Sequence, residues 1–142
     1  MGDKMPNKEV LDFFADFPKE DPFLEQLGAY VVSIKAGEVR LGLKVQPCQA
    51  NVHGIAHGGV ATTLLDTAMG GSCFSLGKSV VSLDCSLNFL GAVPLGHEII
   101  AVGRVIHDGK HTMVTEGEVI DGENGKLYMK GTATFYVLKI YE

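Results

Sequence analysis

The segment from His57 to Gly77 constrains the fold of this chain more than any other. It holds no proline and no β-branched run, which favours a helix, and it is long enough for about five helical turns. Its apolar residues surround the helix instead of forming one stripe. Small residues recur along it: Gly58, Gly59, Ala61, Ala68, Gly70, Gly71 and Ser72. A helix of this kind is buried, and small residues let strands approach its backbone closely. We therefore expect a sheet that wraps around this central helix.

The segments on either side of the central helix supply the strands. Alternating apolar residues predict a hairpin of two strands, 29–34 and 38–45, which is followed by a loop over 46–56. Alternation and turn signals then predict four further strands, at about 79–90, 98–107, 111–121 and 126–138. Short turns between consecutive strands predict antiparallel pairing. The expected fold class is α+β, with one curved antiparallel sheet around one principal helix.

The N-terminal part predicts a short helical segment over about residues 7–28. Apolar residues recur at helical spacing after Asn7, which is a suitable N-cap, and Pro18 stops this first helix. A second short turn has Asp21 as its cap and ends at Gly28. Repeats, low-complexity stretches and linkers are absent from the sequence. Residues 1–142 are therefore expected to form one domain.

The composition narrows the kind of partner. The chain has a formal net charge of -5 and 12 basic residues, so it lacks the concentrated positive surface that nucleic-acid binding needs. No apolar run approaches the ~20 residues of a membrane span, and the start lacks a secretion signal. Cys48, Cys73 and Cys85 form no CxxC pair, which is typical of reduced thiols. We expect a cytoplasmic protein with a small-molecule partner and no nucleic-acid or membrane partner.

Asp66 is the only carboxylate residue between Gly58 and Gly77, and its neighbours are apolar. An unpaired carboxylate in a buried helix is costly. A carboxylate that is retained in such a place is commonly either hydrogen-bonded for structural reasons or used as a base or nucleophile. From this feature alone, both interpretations of Asp66 stay open.

The segment that precedes the helix favours a chemical role. Asn51 and His57 come just before the helix start, where free backbone amides and the helix dipole favour developing negative charge. Gly58 lacks a side chain, so a substrate carbonyl could approach its N–H, as an oxyanion hole requires. The glycines could equally serve only to permit a tight turn into the helix.

Asn51, His57-Gly58-Gly59 and Asp66 together resemble the signature of the phenylacetate-pathway (PaaI-like) hotdog thioesterases. The order of elements over nearly the whole chain is similar to that family. Val81-Ser82-Leu83-Asp84, followed by Asn88-Phe89-Leu90, is similar to its strand after the central helix. The resemblance implies a hotdog fold that forms a dimer, often paired again into a homotetramer, with each active site shared across the dimer interface.

The resemblance also implies roles for five residues. Asn51, His57 and Gly58 would come from one subunit, and Asp66 with Ser82 from the other. The Gly58 amide would polarise the thioester carbonyl, while Asn51 and His57 orient the substrate and assist the leaving thiolate. Asp66 would attack the carbonyl or activate a water, and Ser82 would hold that water or orient the carboxylate. Helical geometry is compatible with this division, because nine residues separate His57 from Asp66 by about 13 Å along the axis.

Several further residues are candidates for substrate binding. Gly59, Asn88 and Phe89 could line the acyl site, although Phe89 could also be plain core. Ser82 is predicted to lie on the polar face of an alternating strand with Asp84, Ser86 and Asn88, where a solvent-facing role is the alternative. The hairpin tip with Lys110, His111 and Thr112 could meet the phosphates of coenzyme A, and Arg104 is a further candidate; the alternative is a solvated turn.

The expected function is hydrolysis of aryl- or fatty-acyl-CoA to free acid and CoA, without a metal or other cofactor, since coenzyme A is part of the substrate. A non-catalytic acyl-CoA-binding hotdog module is one alternative, and a hotdog hydratase or dehydratase is another. A metal site of Cys48, His53 and His57 is disfavoured, because the HExxH pattern and a defined third ligand are missing. The acyl group stays open, because tunnel length depends on tertiary and quaternary structure.

Overall fold

The computed structural model describes residues 4–141 of the chain. Its helices and strands, in chain order, are α1 (Lys8–Asp16), α2 (Pro22–Leu27), β1 (Tyr30–Lys35), β2 (Glu38–Lys44), α3 (Gly58–Phe74), β3 (Lys78–Phe89), β4 (Glu98–Asp108), β5 (Thr112–Asp121) and β6 (Leu127–Ile140). The predicted order of helices and strands is confirmed. Within the described residues, no helix is both long enough and apolar enough to cross a membrane.

Two details of the secondary structure differ from the prediction. The segment 46–56, which was predicted as a plain loop, contains a 3₁₀ helix at Pro47–Gln49, a single turn too short to leave a periodic signal. The central helix ends at Phe74 instead of Gly77, because Gly77 takes a φ of 84° and its N–H closes the turn on the Phe74 carbonyl at 2.8 Å.

All six strands form one antiparallel sheet in the order β1-β2-β4-β5-β6-β3. The predicted antiparallel pairing is therefore confirmed. β1 and β3 are the two edge strands, so β3 has one unpaired side. Helix α3 packs against β2, β3, β4, β5 and β6, which means that the sheet curves around it.

The core lies between α3 and the face of the sheet that it covers. Leu64, Leu65, Ala68 and Met69 of α3 are completely buried. They share one apolar cluster with strand residues that include Leu41, Ile99, Met113, Val119 and Phe135. The expectation of a buried helix is confirmed, and burial of this apolar area is the main term that stabilises the fold.

The closest approach between helix and sheet depends on glycines of the strands. Gly103, Gly117 and Gly131 are register neighbours across β4, β5 and β6. A Cβ on Gly103 would stand 2.3 Å from the Ala68 carbonyl oxygen, and one on Gly117 would stand 2.8 Å from Leu65 Cδ1. Only glycine fits at such distances. This row of glycines lets α3 sit low on the sheet and fixes its position there.

The small residues of the helix contribute less than the sequence suggested. A Cβ on Gly70 would be 3.4 Å from Phe135, and one on Gly71 would be 3.5 Å from Val39, which are nearly ordinary contacts. The prediction that the helix glycines provide the close approach is therefore wrong for the tightest contacts. A single glycine in each strand did not stand out against the 18 glycines of the chain.

A bulge in β3 changes which side chains face the helix. The register with β6 shifts between Ser82, which pairs with Phe135, and Asp84, which pairs with Thr134. Ser82 faces α3, whereas Ser86 and Asn88 lie on the opposite surface of the sheet. The prediction that Ser82 shares a polar face with those residues is wrong, because the extra residue in the bulge reverses the alternation at this point.

Candidate active site

His57 is the N-cap of α3 and is held from both sides. Its Nδ1 accepts a hydrogen bond from the Gly59 N–H at 2.9 Å, and its own N–H donates to the Gln49 carbonyl at 2.8 Å. Since Nδ1 is an acceptor, the proton of the neutral ring lies on Nε2, which is left to face a ligand. The ring is thereby oriented at the positive end of the helix dipole.

Asn51 organises the turn that leads to this helix start. Its Oδ1 accepts hydrogen bonds from the His53 N–H at 2.9 Å and from the Ile55 N–H at 3.4 Å. This arrangement is an Asx turn, which the side-chain chemistry of asparagine favours. The Asn51 Nδ2 group makes no hydrogen bond to any of residues 4–141, so it stays available as a donor.

Gly58 is the first residue of α3 and directly follows His57. Its N–H has no hydrogen-bond partner among residues 4–141, as is usual in the first turn of a helix. A Cβ at this position would stand 3.0 Å from Cε1 of Phe89. Asn51, His57, Gly58 and Phe89 line one cavity of about 200 Å³, to which Tyr128 also contributes. We call these first four residues the His57 half-site.

Asp66 lies about two and a half helical turns from His57, at the level of the middle of α3. Its side chain is half-buried, and its Oδ1 accepts a hydrogen bond from the Ser82 hydroxyl at 2.9 Å. The two residues line a larger cavity of about 490 Å³, whose other walls are mostly apolar. We call Asp66 and Ser82 the Asp66 half-site. The predicted link between these two residues is thus present within one chain.

One chain does not bring the two half-sites together. Among residues 4–141, none lines both the cavity of the His57 half-site and the cavity of the Asp66 half-site. The donors at the start of α3 and the carboxylate in its middle therefore face separate spaces. Within a single copy, they could not act on one thioester group.

Two predicted substrate-binding residues are placed differently from the expectation. The Gly59 N–H is already used by His57, so it is not free for a ligand. Asn88 lies in a polar groove on the outer surface of the sheet, beside Glu118 and Lys130. In one chain, Asn88 therefore does not line the cavity of the His57 half-site, and its contact with the acyl group stays a prediction. The β3 bulge is the reason, because Phe89 rather than Asn88 faces inward.

Arg104 is also on that outer surface, where carboxylates surround it. It forms ion pairs with Glu38, Glu116 and Glu118. The hydrogen bond to Glu118 is the main reason that the pKa of Arg104 is raised. Its charge is therefore already balanced within the chain, which disfavours Arg104 as a ligand for phosphate.

The predicted hairpin tip lies between β4 and β5 and is exposed at Lys110, His111 and Thr112. Lys78 ties the base of this tip down: its Nζ is 2.5 Å from Asp108 Oδ1 and donates to the Gly109 carbonyl at 3.1 Å. Lys78 begins β3, whereas the His57 half-site is at the other end of that strand, roughly 35 Å away. In one chain, the tip is remote from the His57 half-site.

Sequence reasoning missed a buried carboxylate behind the His57 half-site. Asp121 accepts hydrogen bonds from the Tyr128 hydroxyl at 2.7 Å and from the Glu123 N–H at 2.9 Å, and its Oδ2 is 2.8 Å from His97 Nδ1. The hydrogen-bond contact with His97 is the main reason that the pKa of Asp121 lies well below its usual range, and the hydrogen bond from Tyr128 is the second reason. Burial, together with Asp121, raises the pKa of Tyr128 to about 12. In the sequence, the run Asp-Gly-Glu-Asn-Gly at residues 121–125 indicated only a turn.

The described residues hold few other groups for chemistry. Within residues 4–141, no three His, Cys, Asp or Glu side chains are grouped so that they could hold a metal ion. Cys48, Cys73 and Cys85 are free thiols. Burial raises the pKa of the Cys73 thiol to about 12, which leaves it inert as a nucleophile.

A curved antiparallel sheet around one buried helix, with amide donors at the start of that helix and an acid in its middle, defines a hotdog-fold protein of the thioesterase type. The chain belongs to the Thioesterase superfamily, whose sequence model matches residues 53–128. This range includes His57, Gly58, Asp66 and Ser82. The predicted family is confirmed.

Similarity to two named proteins supports the same family membership. The chain is 30% identical to human acyl-coenzyme A thioesterase 13 over 106 residues, which is 73% of this chain and 76% of the relative. It is also 30% identical to the acyl-coenzyme A thioesterase PaaI of Escherichia coli (strain K12) over 103 residues, which is 72% of this chain and 74% of the relative.

Solved structures agree with the fold. The structure of the E. coli PaaI protein superposes with a TM-score of 0.86 at 24% identity and covers 92% of this chain and 94% of its own. The Streptococcus mutans protein smu.793, which was solved bound to acetyl CoA, superposes with a TM-score of 0.75 at 32% identity and covers 79% of this chain and 90% of its own. The predicted hotdog fold is confirmed.

Proposed function

We propose that this protein hydrolyses acyl-CoA thioesters to a free acid and coenzyme A. The observation that carries the proposal is the hydrogen bond from Ser82 to Asp66 at the edge of an apolar cavity. It places an oriented carboxylate where an apolar acyl group could end. The names of the human and E. coli relatives and the acetyl CoA bound to the S. mutans protein support coenzyme A thioesters as the substrate.

The chemistry follows from the two half-sites. The Gly58 N–H would donate to the thioester oxygen as negative charge develops there, with the helix dipole in support. Asn51 Nδ2 and the His57 ring would orient the thioester. Asp66 would take a proton from a water that attacks the carbonyl carbon, or would attack that carbon itself. The carbon–sulfur bond then breaks, and the coenzyme A thiolate leaves with the electron pair; in the first route it takes up the proton that Asp66 received. In the second route the acyl group stays on Asp66 as a mixed anhydride, and a water molecule then hydrolyses this anhydride, which releases the free acid, restores the carboxylate and supplies the proton for the thiolate.

The site is proposed to be shared between two copies of the chain. The separation of the two half-sites within one chain supports this division. The free edge of β3 supports a pairing surface there, because it exposes unpaired backbone groups and apolar side chains, among them Val81 at 47% and Leu83 at 59%. Association of two such dimers into a homotetramer stays a prediction.

Antiparallel pairing of two β3 edges also gives the hairpin tip a role. Such pairing would bring the Lys78 end of one copy near the Phe89 end of the other, so that the tip at Lys110, His111 and Thr112 approaches the second copy's His57 half-site. Two basic or imidazole side chains and a hydroxyl there could meet the phosphates of coenzyme A.

We further propose that the reaction needs no metal or cofactor. We also propose that it takes place in the cytoplasm, which the free thiols support.

The test is the Asp66→Asn variant in an assay of thiol release from acyl-CoA. We expect turnover to fall by about a thousandfold or more, because the base or nucleophile is lost while the Ser82 hydroxyl keeps a partner. Thermal unfolding and oligomeric state should be unchanged. Glu20→Gln, which changes an exposed carboxylate outside both half-sites and outside the proposed pairing edge, is the matched control and should stay active. Near-wild-type turnover of Asp66→Asn would contradict the proposal.

A further inference from the structure

Part of the wall of the Asp66 cavity is built from aromatic rings. Phe13 and Phe17 come from the N-terminal helical segment, and Phe74 comes from the end of α3. The rings of Phe13 and Phe74 have centroids 4.8 Å apart in an edge-to-face arrangement, and those of Phe74 and Tyr141 are 5.6 Å apart. These rings and the Asp66 half-site therefore border the same apolar space.

The rings of the N-terminal segment differ in how firmly they are held. Val10 and Phe14 are buried and anchor α1 to the core. Phe13 is 36% exposed and Phe17 is half-buried, so neither is a core residue, although both line the cavity. Side chains of this kind can determine the shape of a pocket without determining whether the chain folds.

We infer that Phe13 and Phe17 form the end wall of the acyl pocket and set the longest acyl group that the protein accepts. The inference rests on the proposed function, which places the thioester carbon at Asp66. The acyl group then extends into the large apolar space that Asp66 borders, toward the two rings. Acyl groups that end at the rings gain contact area, whereas longer groups must displace Phe13 from its packing on Phe74 and Phe17 from its packing on Phe13.

The test is a chain-length profile for Phe13→Ala and Phe13→Trp. kcat/KM is measured for straight-chain acyl-CoA substrates from acetyl to palmitoyl. We expect Phe13→Ala to raise the ratio of long-chain to short-chain kcat/KM by roughly tenfold, and Phe13→Trp to lower it, because pocket contacts of a few methylene groups have effects of that size. A profile that neither variant changes would overturn the inference.

The matched control is Phe23→Ala. Phe23 lies on α2, is 57% exposed and does not line the cavity, so its removal should leave the profile as in the wild type. Thermal unfolding of all variants separates a change in the pocket from a loss of fold. A shift in the control as large as that of Phe13→Ala would contradict a specific role for Phe13.

The experiment also separates this inference from the proposed function. If the wild type released no thiol from any acyl-CoA, the proposed function would fail, and the wall would be tested by binding instead. Dissociation constants for the same series, measured by calorimetry with Asp66→Asn and with Asp66→Asn combined with Phe13→Ala, should show the same shift toward longer chains. Identical length dependence in the two proteins would overturn the inference.

Discussion

The His57 half-site and the Asp66 half-site are built in different ways. The first is local: Asn51, His57 and Gly58 lie within eight positions of one another, and an Asx turn and an N-cap hydrogen bond orient them. The second is assembled over distance, because Asp66 on α3 meets Ser82 on β3 only through a sheet bulge. The local half-site provides donors for developing charge, and the assembled one provides the acid. Variants in the two should therefore fail for different reasons.

After Asp66→Asn, the largest effect is expected at the His57 half-site from Gly58→Ala. The added Cβ would stand 3.0 Å from Cε1 of Phe89 and would obstruct approach to the Gly58 N–H. We expect kcat/KM to fall by about a hundredfold, which is the usual effect of losing one oxyanion donor. Thiol release measures the loss, and unchanged thermal unfolding would show that it is local. Wild-type activity in this variant would remove Gly58 from the site.

A smaller effect is expected at the Asp66 half-site from Ser82→Ala. This change removes the hydrogen bond to Asp66 but leaves the carboxylate, so we expect kcat to fall by roughly tenfold. Ser86→Ala is the control, because Ser86 lies on the same strand but faces the outer groove. Equal effects of the two changes would show that the bulge does not set the catalytic face of β3.

The smallest effect on activity is expected behind the His57 half-site, at Asp121. The pKa of this carboxyl in the folded chain lies below its ordinary value of 3.8. The ionised carboxylate therefore stabilises the fold fully when the pH is above this ordinary pKa. This stabilisation is lost as the pH falls through the lower pKa that Asp121 has in the folded chain. We expect Asp121→Asn to lower Tm by several degrees at neutral pH and to reduce kcat/KM only a few-fold, because the Tyr128 ring stays in the cavity wall.

Thermal unfolding as a function of pH checks this prediction. The difference in Tm between the wild type and Asp121→Asn should narrow below about pH 4. Glu20→Gln, at an exposed carboxylate outside β3, is the control and should differ little from the wild type at any pH. A difference that stays constant down to strong acid would show that ionisation of Asp121 does not support the fold.

The same contrast explains what the sequence could predict. The element order, the buried helix and the His57 half-site depend on local patterns, and the resemblance to the family supplied the pairing of Asp66 with Ser82. The faces of Ser82 and Asn88 could not be read from alternation, because one bulge residue reverses it. The strand glycines and the Asp121 cluster were also missed, since each depends on contacts between elements distant in the chain.

Mixing two inactive variants tests most directly whether the two half-sites act together across a dimer. Asp66→Asn and Gly58→Ala are unfolded and refolded together at equal amounts, so that subunits pair at random. Half of the dimers then hold one copy of each, and one of their two sites combines an intact His57 half-site with an intact Asp66 half-site. Our account predicts recovery of about a quarter of wild-type activity. Activity no higher than the mean of the two variants refolded separately would contradict the shared site.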